Sequence, residues 1–157
     1  MWISRHYNRR GFTLIELLVV IAIIGILTTI ASISLIQARR RARDTKRVAD
    51  IQQVRSALLI YSNQRATYPA TPAGGGILGS GNAACLDDSV SGFNATCGAG
   101  GELVIMQRVP ADIAGGTGYV YSKTEAQSYA ITFTLEGTVE NLDGNCTATE
   151  NGITCSP

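Results

Sequence analysis

The most conspicuous pattern in the chain is a long stretch with almost no polarity. Residues 12–36 (FTLIELLVVIAIIGILTTIASISLI) carry one ionisable side chain, Glu16. The run is apolar on every helical face up to Leu27 and then admits Thr28, Thr29, Ser32 and Ser34. At 1.5 Å per residue such a helix covers roughly 37 Å, enough to cross a hydrocarbon core of about 30 Å. A helix apolar all round belongs in lipid or in the centre of an assembly. After a basic stretch the period changes. Val48, Ile51, Val54, Leu58 and Tyr61 recur every three or four residues, as one face of an amphipathic helix does. Lys46, Asp50, Gln53 and Arg55 occupy the opposite face, with Lys46 and Asp50 placed for an i, i+4 contact. Neither Gly nor Pro falls between Gly25 and Pro69. The two patterns therefore predict one helix from about residue 12 to about residue 63, roughly 75 Å long. Asn63, Tyr68 and Pro69 end it.

The distal half follows other rules. Residues 70–101, rich in Gly, Ala, Ser and Asn, predict a long loop. Residues 102–109 (ELVIMQRV) suit a short helix or a strand equally. Residues 118–122 and 128–135 alternate β-branched and aromatic residues about a turn, and so predict paired strands. A third strand is expected around 137–142, and the tail 143–157 is expected to be a loop. The fold class is α+β: a long N-terminal helix, its apolar half protruding and its amphipathic half packed on a small antiparallel sheet of about residues 102–142.

Charge and cysteines sharpen this picture. Residues 39–47 hold six bases (Arg39, Arg40, Arg41, Arg43, Lys46, Arg47) against Asp44, whereas residues 66–157 hold two bases against nine acids. Such an acidic region repels phosphates, so no nucleic-acid partner is expected there. All four cysteines lie beyond residue 84 without a Cys-x-x-Cys pair, which argues against zinc and thioredoxin spacings. An even cysteine count on an exported segment points to two disulfides. Three connectivities exist. Sequence proximity favours Cys85–Cys97 and Cys146–Cys155, each worth roughly 2–3 kcal/mol for such short loops. His6 is the single histidine. If the residues around it are removed as a leader, triad catalysis and His-ligated metals go too. Neither an enzyme nor a cofactor or metal is expected.

The junction RRGFTLIELLVVIAIIGIL resembles the type IV filament superfamily of pilins and pseudopilins. The matching elements are a short basic leader, Gly11 before the cut, Phe12 after it, Glu16 as the lone acid, and the unbroken apolar run. The match is strongest over residues 9–36 and looser through Pro69. This resemblance implies that a prepilin peptidase cleaves between Gly11 and Phe12 and N-methylates Phe12. The implied domains are a leader (1–11), an apolar half of the helix (12–36) and a globular pilin domain (37–157). Glycine suits an extended backbone entering a narrow cleft, and Arg5, Arg9 and Arg10 hold the leader in the cytoplasm. A carboxylate at a bilayer centre costs about 2.5–3.5 kcal/mol. In the first turn of the mature helix the macrodipole favours the anion instead. The family implies that Glu16 neutralises the N-terminal amine of a neighbouring Phe12 during assembly. Many major pilins carry a proline in the second half of this run; here Ile33 stands in a stretch with none.

Other readings compete. A secretory signal peptide ending at Ala31 meets Glu16 inside its apolar core, where it does not belong, and a permanent anchor leaves Glu16 unexplained. The arginine run opposes the positive-inside rule if the domain is exported. It suits a solvated face, anionic headgroups, or a charged lining between packed helices. Asn94 and Asn145 head glycosylation sequons, and Asp143, Asn145 and Glu150 suggest either a calcium loop or Asx turns.

The function expected is a structural subunit of a type IV pilus-like filament. Its partners are identical or related subunits, the prepilin peptidase and an inner-membrane assembly platform with its ATPase. It is expected as a single-pass inner-membrane precursor and then in an extracellular filament. The alternatives are a pseudopilin of a type II secretion or DNA-uptake machine, and a minor tip pilin acting as a membrane-tethered binding module.

Overall fold

A computed structural model describes residues 11–98, 101–112 and 118–156. The leader residues before Gly11, with Arg5, His6, Arg9 and Arg10, lie outside the described residues. The chain divides into two compact units between Ala38 and Arg39. One helix, α1 (Leu14–Arg65, 52 residues), supplies both.

In the N-terminal unit every described residue is exposed, and its large apolar side chains range from 48% accessible at Val19 to 88% at Phe12. The hydroxyls of this stretch are satisfied by the helix itself. Thr28 Oγ1 donates to the Ile24 carbonyl at 2.9 Å, Thr29 Oγ1 to Ile26 at 2.7 Å, and Ser32 Oγ to Thr28 at 2.8 Å. Back-bonding of this kind removes the cost of placing a hydroxyl in an apolar medium. By length and composition α1 contains a segment able to cross a membrane.

In the C-terminal unit, α1 turns the stripe Val48, Ile51, Val54, Ala57, Leu58 and Tyr61 into one apolar core. Two antiparallel sheets complete it. The larger is a four-stranded meander in chain order, β4 (Val120–Glu125), β5 (Ser128–Thr134), β6 (Asn145–Thr149) and β7 (Gly152–Ser156). Its central strand β5 alternates strictly: Tyr129, Ile131 and Phe133 are buried while Thr132 and Thr134 face outward. The smaller sheet is β1 (Cys85–Asp87) between β2 (Phe93–Asn94) and β3 (Val104–Met106). Tyrosines join the layers. Tyr68 meets Tyr129 edge-on at 4.6 Å between ring centroids, and Phe93 meets Tyr121 at 5.0 Å. Tyr121 Oη donates to the Pro69 carbonyl at 2.7 Å, which satisfies the polar end of a fully buried ring. Gly76 lets the loop reach β4. Its φ is +71°, and a Cβ there would lie 2.0 Å from the Tyr121 carbonyl oxygen.

The α+β class, the long helix and the β4–β5 hairpin agree with the sequence expectation. Three expectations need correction, for 70–101, 137–142 and the tail, and one ambiguity is resolved. The region 70–101 is not a plain loop, because β1, β2 and a 3₁₀ turn at Gly81–Ala83 form within it. The ambiguous 102–109 segment resolves as β3, a strand only because β1 pairs with it. No strand forms at 137–142. Glu140 and Asn141 both have positive φ, 49° and 69°, making a tight reversal bridged between Val139 and Leu142. The tail is a hairpin, with β6 completing β5 and Asn151-Gly152 beginning its return.

Candidate functional site

The sequence singles out the junction at the start of α1, and local chemistry organises it. Thr13 precedes the first helical residue and Glu16 lies three residues later, so the two close a reciprocal cap. Glu16 Oε2 accepts from the Thr13 backbone N–H at 2.8 Å and from Thr13 Oγ1 at 2.9 Å. The Glu16 N–H donates back to Thr13 Oγ1 at 3.3 Å. This capping box satisfies two donors that a helix start leaves unpaired. Its signal, Thr-x-x-Glu ahead of an apolar run, is present in the sequence. Both side-chain bonds use Oε2; among the described residues Oε1 takes none. Phe12 and Gly11 lie outside the helix and are exposed. A Cβ at Gly11 would meet nothing within 4 Å, so nothing among the described residues calls for glycine at this position.

The second polar constellation was hidden in the sequence. Continuing the buried stripe backward by four residues from Ile51 and from Val48 reaches Arg47 and Asp44, both buried. Arg47 Nη1 donates to Asp44 Oδ1 at 2.7 Å and to Glu136 Oε1 at 3.1 Å, and its Nε donates to Asp112 Oδ1 at 3.0 Å. Asp44 also accepts the Glu136 N–H at 3.0 and 3.1 Å. Arg43 grips Glu136 with both fork nitrogens, its Nε at 2.8 Å. Hydrogen bonding from Arg43 holds the Glu136 carboxyl down to about 2. Burial works to lower the Arg47 pKa, but the surrounding carboxylates more than offset it and raise it overall. Asp50, assigned by period to the solvent face, is buried instead. It accepts Lys46 Nζ at 2.6 Å and Tyr119 Oη at 3.1 Å. Burial, reinforced by that carboxylate, pushes the Tyr119 phenol above its ordinary range.

The four cysteines form two bonds, Cys85–Cys97 and Cys146–Cys155. The second joins directly opposed residues of β6 and β7. Asn94 spends its amide nitrogen on Asp87 Oδ1 and Ser89 Oγ, both at 3.0 Å, so that nitrogen is engaged rather than presented. Asn145 is exposed at the start of β6. Asp143, Asn145 and Glu150 do not converge: they take hydrogen bonds from Thr138, Thr134 and the Tyr129 N–H respectively. Among the described residues no cluster of three His, Cys, Asp or Glu side chains is placed to hold a metal.

Comparison with known proteins matches this arrangement to a family at one end of the chain. The model of the prokaryotic N-terminal methylation motif matches residues 6–32. Type II secretion system core protein G of Pectobacterium carotovorum is 40% identical over 68 residues, 43% of this chain and 44% of the relative. The protein of that name from Escherichia coli is 39% identical over 67 residues, 43% of this chain and 46% of the relative. The type IV wide pilus major component PilA4 of Thermus thermophilus is 41% identical over 66 residues, 42% of this chain and 50% of the relative. The chain thus matches about half the length, or less, of these curated relatives. No solved structure gives a significant match. At its N-terminus the chain carries the prokaryotic N-terminal methylation motif, and over about two fifths of its length it is similar to type II secretion core G proteins and to a type IV wide pilus component.

Proposed function

We propose that this chain is a structural subunit of a type IV pilus-like filament, made as a membrane-anchored precursor and polymerised through α1. One observation carries the reading. The apolar half of α1 is exposed on every face, and the disulfide-bonded domain has a core of its own, so the apolar half needs a partner that the described residues do not supply. Lipid is that partner before assembly, and the same segment of identical or related subunits is the partner after it.

In this reading a prepilin peptidase cuts between Gly11 and Phe12 and methylates the new amine. The glycine that the described residues do not call for then serves the peptidase cleft. Glu16 keeps Oε2 on its own cap and offers Oε1 to the Phe12 amine of a neighbour. Helices leaving lipid gain little hydrophobic energy from one another, so such a charge pair sets their register. An inner-membrane platform with its ATPase supplies the work. The test is intact-mass and N-terminal analysis of the native protein. Methylated Phe12 is the expected first residue; retention of residues 1–11, or a start at Ser32, overturns the reading.

A pseudopilin role in a secretion machine is the second reading, supported by relatives named for type II secretion. Shearing separates the two. A pilus subunit leaves the cell surface in long fibres, whereas a pseudopilin at native expression stays with the envelope. Recovery only in trace amounts beside another major subunit marks a minor tip pilin.

A further inference from the structure

The six bases that follow the apolar run meet two fates. Arg43, Lys46 and Arg47 are paired with acids of the domain, Arg43 with Glu136, Lys46 with Asp50, and the buried Arg47 with Asp44, Asp112 and Glu136. Arg39, Arg40 and Arg41 are exposed and, among the described residues, make no ion pair. Their spacing distinguishes them from a docking patch. Consecutive helical residues are turned by about 100°, so three in a row project around most of the circumference of α1. A protein partner would meet one side of such a ring, whereas a bilayer surrounds the helix and meets all of it.

Their depth agrees. Arg39 to Arg41 lie 25 to 27 residues beyond Leu14 (39 − 14 and 41 − 14). That is roughly 37–40 Å of helix, past a core of about 30 Å and inside the about 40–45 Å that includes the headgroups. Guanidinium groups bind phosphate in a bidentate fork, and their stems tolerate an apolar boundary. We propose that Arg39, Arg40 and Arg41 form a collar that binds the phosphates of anionic phospholipids in the leaflet where α1 emerges, setting the precursor's insertion depth. The collar rests on the reading that residues 14–36 span a bilayer. It gives a use to bases that the positive-inside rule disfavours on an exported side. Each such base near an anionic surface is worth about fivefold in binding, so the collar supplies on the order of a hundredfold.

The test reconstitutes the full chain in nanodiscs of phosphatidylcholine alone or with a minority of phosphatidylglycerol, and counts retained lipids by native mass spectrometry. Wild type is expected to retain phosphatidylglycerol preferentially, R39K/R40K/R41K to keep most of that preference, and R39Q/R40Q/R41Q to lose it. Arg108→Gln, at an exposed base elsewhere in the domain, is expected to leave it unchanged. Insertion into phosphatidylcholine discs is read separately. Failure of wild type to insert overturns the spanning reading and the collar with it. Normal insertion with equal retention of the two lipids, or undiminished preference in the glutamine variant, overturns the collar alone. So does a glutamine variant that keeps its lipids but no longer self-associates, since the segment is then an interface between copies.

Discussion

Truncating Asp44 to alanine tests whether part of the arginine run is architecture. Asp44 is fully buried and accepts three hydrogen bonds, one from Arg47 and two from the Glu136 N–H. The truncation leaves the part-buried Glu136 N–H without its acceptor, which costs about 1 kcal/mol, the low end for an unsatisfied group. It also removes one of the three carboxylates facing Arg47. Breaking a buried ion pair costs about 3–5 kcal/mol, but here Arg47 keeps Asp112 and Glu136, so about 3 kcal/mol is expected. Asp44→Asn restores an acceptor without the charge and should cost about half as much. Lys46→Ala is the contrast. Its side chain is 48% exposed and pairs at i, i+4, worth about 0.3–0.5 kcal/mol. Urea unfolding of the detergent-solubilised chain, followed by near-ultraviolet circular dichroism of the buried tyrosines, separates these values. With a slope of about 1.5 kcal/mol/M, Asp44→Ala should lower the midpoint by about 2 M. A cost no greater than that of Lys46→Ala would mean that the network is solvated and that the inward stripe ends at Val48.

Three further outcomes follow from the geometry. Glu16→Ala should leave leader processing intact and severely reduce filament yield by electron microscopy; Thr13→Ala, which breaks the cap but keeps the carboxylate, should reduce yield far less, and equal losses would assign the defect to helix capping. Glu136 has its carboxyl held at about 2 against an ordinary 4.5, so its stabilisation is complete above about pH 4.5 and is lost as pH falls toward 2; thermal scans should show that acid loss, and Glu136→Gln should flatten it and be less stable at neutral pH. Replacing Cys146 and Cys155 together by alanine removes a short cross-strand loop worth about 2.5 kcal/mol, and an unchanged urea midpoint would mean that the hairpin stands without its bond.

What the sequence determined by itself is what depends on neighbours along the chain. The all-round apolar run ending near Ile36, the three-to-four residue period from Val48 to Tyr61, and the alternation of β5 are local regularities, and each appears in the structure where its period places it. The Thr13–Glu16 cap is local too and was legible as Thr-x-x-Glu. Tertiary structure decided the rest. The β6–β7 hairpin is built from Asn, Cys, Thr and Ala, whose alternation is too weakly apolar to announce strands; only the free edge of β5 and the apposition of Cys146 with Cys155 make it one. Asp44 and Arg47 look like solvated helix residues until Asp112, 65 residues beyond Arg47, and Glu136, 92 beyond Asp44, fold over them. A charge in sequence carries no sign of whether it will be buried, because its partners are chosen by the closing of the chain. An apolar face carries that sign from the start, since water drives it inward, or into lipid, whatever it meets.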